Sequence, residues 1–178
     1  DLNNQNKIFE WDINVQKILD KIDIKTHRSN SVYFLNPLLL KDGHIVVSHI
    51  KPGEPLIKIS PIGELASFNT EYAFHHSLEI DNNNRIYAPI RRIGIDPSSS
   101  FDIQGFSILD TNLKIIKVFS LLEIYESIGM NYKIYSKDPT KDPFHLNDVQ
   151  PYHNDFGKDI VLLSLRSLST VLAYDLKE

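Results

Sequence analysis

One hairpin signature returns along this chain at intervals of 48, 50 and 65 residues, and repeats at that spacing limit the fold more than any other feature. Residues 7–19 (KIFEWDINVQKIL), 56–68 (LIKISPIGELASF) and 105–119 (GFSILDTNLKIIKVF) each place two short apolar runs around a polar turn. Residues 171–178 (VLAYDLKE) begin a fourth copy, and Asp12, Ser60, Asp110 and Asp175 are the equivalent turn-entry positions. The β-branched and aromatic residues flanking these turns predict strands.

A second hairpin type alternates with the first. Residues 38–48 (LLLKDGHIVVS) and 78–88 (LEIDNNNRIYA) carry Lys-Asp-Gly and Asn-rich turns, and residues 149–164 carry a longer turn through His153, Asn154, Asp155 and Gly157. Asn, Asp and Gly suit such turns because they tolerate positive φ. Two hairpins per repeat make four strands, which is one blade of a β-propeller. The expected fold is therefore all-β, a propeller of which residues 1–178 form one partial domain covering roughly three to four blades. A compact antiparallel sandwich is the alternative. Such a chain would not close on itself, and it opens on Asp1 with no signal-peptide pattern, so it is expected to be a segment of a larger ring.

One insertion, residues 120–143, breaks the repeat. Within it residues 120–129 (SLLEIYESIG) predict a short helix, with Ser120 as N-cap, Glu123 three positions on and Gly129 at the end. Residues 132–144, rich in Lys, Asp and Pro, read as an irregular loop leading to His145. Such a loop either walls a site or is a tolerated surface excursion.

Composition narrows the partners. A net charge of -4, with neither a polybasic patch nor a membrane span, disfavours nucleic-acid and membrane-surface roles. With no cysteine there is no disulfide framework and no thiolate metal site. Of the seven histidines, His27 and His153 lie in polar linker or turn sequence, while His44 and His49 flank a strand. Solvation or local hydrogen bonding accounts for these. His75 and His76 immediately precede the inner hairpin of one repeat, as His145 precedes that of the next, and Asn147 and Arg166 lie on the strands that follow. Equivalent strand starts in successive blades face one channel. No Asp or Glu accompanies these histidines at a recognisable ligand spacing, and an arginine among them opposes a cation, so a small anion fits better than a metal ion. No metal and no cofactor is expected.

The segment Asp142-Pro143-Phe144-His145-Leu146-Asn147-Asp148-Val149, the strand ending Ser164-Leu165-Arg166 and the strand ending Tyr174-Asp175 together resemble the bacterial arylsulfate sulfotransferases. The family pattern is D-aromatic-φ-H-x-N-(S/D)-φ, then S-x-R, then φ-D, and Pro143 departs from it. The stretch Phe74-His75-His76 looks like the upstream His-His element, and the likeness covers most of the chain from about Leu38 onward. The resemblance implies a six-bladed propeller that moves a sulfuryl group from an aryl sulfate to a phenol through a sulfated histidine. It implies that Arg166 and Asn147 bind substrate, that His145 with His75 or His76 donates hydrogen bonds or a proton, and that the attacking histidine lies beyond Glu178. By that reading the segment alone is inactive. The implied partners are small-molecule aryl sulfates and phenols, a homodimer is left open, and the implied compartment is the periplasm or another exported location. Two other classes compete: a non-catalytic propeller that binds a ligand or protein, and metal-dependent sulfate-ester hydrolysis.

Overall fold

A computed structural model describes residues 9–22, 34–49, 54–91, 104–130, 143–153 and 159–177. Within them the chain forms three antiparallel sheets and two short helices. The first sheet runs in chain order through β1 (Phe34–Leu39), β2 (Ile45–His49), β3 (Leu56–Ile59) and β4 (Leu65–Asn69). In the second, β5 (Ala73–Phe74) and β6 (Glu79–Ile80) both pair with β7 (Ile86–Arg91), followed by β8 (Gln104–Leu109) and β9 (Ile115–Ser120). The third comprises β10 (Leu146–His153), β11 (Asp159–Leu165) and β12 (Thr170–Asp175). Each is a meander, and β5 and β6 are two halves of one interrupted first strand.

The hairpins expected at 38–48, 56–68, 78–88 and 105–119 form as β1–β2, β3–β4, β6–β7 and β8–β9. Their turns use aspartate as a backbone mimic. Asp81 Oδ1 accepts from the amides of Asn83 and Arg85, both at 2.8 Å, and Asp110 Oδ1 from those of Asn112 and Lys114 at 2.8 and 2.9 Å. The hairpin expected at 149–164 forms as β10–β11, with turn residues 154–158 outside the described residues. Residues 1–8, His27, most of the 132–144 loop and the side chains of His49 and His153 also lie outside them.

The sheets stack face to face. Alternation along β7 sends Ile86, Ala88 and Ile90 to an apolar layer shared with Val46 and Leu56 of the first sheet. Tyr87 points the other way, to a layer shared with Val149, Val161 and Leu163 of the third. The second sheet is thus buried on both faces, which is why every residue of β8 is buried. Polar ties cross the same boundaries. Asn69 Nδ2 donates to Leu113 O at 2.9 Å and Lys58 Nζ to Thr111 O at 3.0 Å between sheets one and two. Between sheets two and three, the Val149 amide donates to Ser77 Oγ at 3.4 Å, and Arg85 Nη2 lies 3.9 Å from Asp159 Oδ1.

The N-terminal hairpin expected at 7–19 is not formed. Its second half is instead α1 (Val15–Lys21), capped by Asn14, whose side chain accepts the Lys17 amide at 3.0 Å. Val15, Ile18, Leu19 and Ile22 recur at helical spacing and cover Ile45, Val47, Ile57 and Ile59 on the outer face of the first sheet. The capped amphipathic pattern outweighed the shorter alternation. The expected helix after Ser120 does form, as α2 (Leu121–Ser127), with Ser120 Oγ accepting the Glu123 amide. Its buried Tyr125 meets Phe144 with ring centroids 5.7 Å apart, anchoring the residue that precedes His145.

Candidate functional site

The first strands of the first two sheets are interrupted, and a non-glycine residue with positive φ stands in each interruption and at the matching place just before the first strand of the third sheet. Asn36 (φ 45°) sits where β1 shifts register between Leu35 and Leu38, His76 (φ 58°) between β5 and β6, and His145 (φ 47°) directly before β10. Such conformations cost about 1–3 kcal/mol each and gather at functional sites, with Asn and His among the residues that tolerate them best.

Sequence chemistry explains the break in the second sheet. The Pro89 carbonyl accepts the His75 amide at 3.3 Å, but proline has no N–H to return to the first strand. The ladder stops there, and residues 75–78 leave it before β6 resumes pairing at Glu79. In the third sheet the backbone fixes Arg166 against His145. The Arg166 amide donates to His145 O at 3.1 Å and the Ser167 amide to Phe144 O at 3.2 Å, at the start of a single 3-10 turn, Arg166–Leu168.

These breaks bring side chains from two sheets together. Arg166 Nη2 lies 3.0 Å from His145 Nδ1. Guanidinium only donates, so Nδ1 accepts, and the His145 proton resides on Nε2 while that bond holds. The His145 ring lies 5.2 Å from His76, and His76 lies 4.9 Å edge-on from His75. His76, not His75, therefore meets His145, an alternative the sequence left open. Arg166 is exposed and the three histidines are half-buried, so a small solute can reach the group. Asn147 occupies the irregularity between Leu146 and Asp148, and among the described residues no hydrogen bond ties it to His76, His145 or Arg166.

Two members of the surroundings escaped sequence reasoning. Asn36 Nδ2 donates to the His76 carbonyl from the first sheet, and Ser77 Oγ joins the second sheet to the third. The signal for Asn36 was the Asn-Pro pair inside an apolar run. Three residues after each site histidine stands a carboxylate, Glu79 after His76 and Asp148 after His145. Burial first, and then the Asp148 charge, raises the Glu79 carboxyl above its ordinary range. Among the described residues no three His, Asp or Glu side chains converge to hold a metal ion.

No family model and no curated protein matches the chain. Among solved structures, a protein of unknown function from Bacteroides caccae is similar at 9% identity and a TM-score of 0.36, over 84% of this chain and 48% of that one. The chain thus spans about half the length of that protein. No helix among the described residues is long and apolar enough to cross a membrane.

Proposed function

We propose that His76, His145 and Arg166 bind the oxyanion head of a small ester, and that the complete polypeptide transfers a sulfuryl group from an aryl sulfate to a phenol. The observation that carries this reading is the Arg166–His145 contact at 3.0 Å beside the His76 ring. One Nη2 hydrogen is committed to His145, leaving the remaining guanidinium donors for two oxygens of a sulfuryl group. His145 Nε2–H and the His76 imidazole add donors around the same point. A sulfuryl group in transfer spreads charge over its oxygens, and fixed donors aimed there stabilise it as they do in phosphoryl transfer.

In the proposed reaction the S–O(aryl) bond breaks as an N–S bond forms on the attacking histidine, which the resemblance puts beyond Glu178. The departing phenolate takes a proton from an imidazole of the site. A second phenol then gives its proton back to that imidazole, and its oxygen forms a new O–S bond as the N–S bond breaks and frees the histidine. Stacked meanders with their first strands side by side support blades of a propeller, with the site at the inner ends.

The test uses the complete natural polypeptide. A chromogenic phenol should be released from its sulfate ester faster when a second phenol is present, and Arg166→Ala and His145→Ala should each lose that release. A folded wild-type protein that releases nothing would leave a propeller that binds anions without transferring them.

A further inference from the structure

We propose that the cleft between the first and second sheets, at their hairpin turns, binds a small neutral polyol of monosaccharide size. The inference is independent of the histidine cluster and uses residues that the proposed transfer does not.

Three turns converge on this cleft. Leu40, Lys41 and Asp42 come from the β1–β2 turn, Ile80 and Asn84 from β6 and the turn after it, and Thr111 from the β8–β9 turn, around a volume of about 240 Å3. Sites for drug-sized ligands run to roughly 300–1,000 Å3, so the occupant is smaller than those. Backbone bonds fix all three walls: the Leu40 amide donates to His44 O at 2.8 Å, and the Asp81 and Asp110 amides donate to Arg85 O and Lys114 O, both at 3.0 Å.

Charge and hydrogen-bond accounting select the ligand. Lys58 of β3, its side chain only 8% exposed, links two of the walls: Nζ donates to the Thr111 carbonyl at 3.0 Å and lies 3.7 Å from Asp42 Oδ2. An ammonium carries three donors, so among the described residues two of them find no acceptor, and Oδ2 finds no donor. The separation is too long for a direct hydrogen bond and suits a bridging group that accepts from nitrogen and donates to oxygen at once. A hydroxyl does both. Asp42 Oδ1 accepts the His44 amide at 3.1 Å, and that bond chiefly holds the carboxyl below its ordinary range, so the bridge meets an ionised acceptor. Lys41 and Lys58 repel a cation while Asp42 repels an anion, which leaves a neutral ligand. The Asn84 amide and the Thr111 hydroxyl, neither hydrogen-bonded among the described residues, serve further hydroxyls. Leu40 and Ile80 offer an apolar surface for the C–H groups of a ring.

The complete natural polypeptide, labelled at its methyl groups, is titrated with D-glucose, D-galactose, D-mannose and myo-inositol while the Leu40, Ile80 and Thr111 methyls are followed by NMR. At least one of the four should shift these methyls saturably. Asp42→Asn keeps an acceptor for the His44 amide and puts a donor where Oδ2 accepts, and Thr111→Val keeps the shape and removes the hydroxyl. In protein whose backbone amide spectrum shows the sheets intact, each should weaken that binding at least fivefold. No saturable shift with any of the four would mean that the cleft holds water only and would overturn the proposal. So would a Kd within twofold of wild type in both variants. Shifts centred on the His76 and His145 rings instead of these methyls would put the sugar at the histidines and overturn it as well.

Discussion

Arg166 is the side chain on which the chemistry turns, because its charge is permanent and its donors are planar. Replacing it with lysine keeps the charge and removes the fork. A charge-assisted hydrogen bond is worth about 1.5–3 kcal/mol, so Arg166→Lys should weaken sulfate binding by roughly 10- to 100-fold. A Kd within threefold of wild type, read by calorimetry at constant ionic strength, would mean that only the charge matters. Glu79 carries a different prediction at the same scale. Its carboxyl is raised by burial and by Asp148, so the folded state holds the proton more tightly than the unfolded state. That contribution is fully present below the unfolded pKa and is lost as pH rises through the folded one. Glu79→Gln should therefore be more stable than wild type at neutral pH, with the difference shrinking as both are acidified. Urea unfolding at neutral and acidic pH measures it, and equal differences at the two would contradict the raised carboxyl.

At the scale of elements, Gly63 joins the N-terminal segment to the first sheet. It has φ +79°, and a Cβ added there would collide with the carbonyl oxygen of Asp12. Lys17 and Lys21 meet Glu64 beside it at 2.7 and 3.2 Å. Gly63→Ala should destabilise the protein by about 1–3 kcal/mol through strain and displaced backbone. It should also expose residues 9–22 to protease, while sulfate binding on the far side of the sheet stays unchanged. Protection equal to wild type would mean that α1 is not held by that turn.

The same elements mark what the sequence revealed. Hairpins were legible because Asp, Asn and Gly sit where the turns need them, and α2 because Ser120 and Glu123 cap an apolar stripe. The N-terminal helix was misread as strands because Phe9 and Trp11 suggest alternation, although Val15, Ile18, Leu19 and Ile22 were already at helical spacing. His145 and Arg166 could be placed together from the strand order. The choice between His75 and His76 could not, because it depends on one residue entering positive φ, and sequence alone carries no mark of that beyond Pro89. Asn36 was missed for the same reason: its partner is a backbone carbonyl, which no side-chain pattern reveals.

Across the whole set of described residues the order of layers is α1, first sheet, second sheet, third sheet. The far face of the third sheet is left with Tyr152 at 52% and Val171 at 70% exposure. In the proposed ring a further sheet covers that face, whereas α1 already lies on the outer face of the first sheet. The site sits across the second and third sheets and is tied to the first, so an anion bound there links all three layers. A ligand that binds only the folded state adds RT ln(1 + [L]/Kd), about 2.7 kcal/mol at one hundred times Kd. Sodium sulfate should thus raise Tm, but sulfate also stabilises proteins generally by exclusion from their surface. Arg166→Ala separates the two effects, since the general effect survives the substitution and the site-specific one does not. The expected outcome is a saturable rise in Tm for the wild type at low sulfate, absent in Arg166→Ala, followed by the same shallow slope in both at high sulfate. Parallel curves at every concentration would mean that no anion is held at the junction of the sheets.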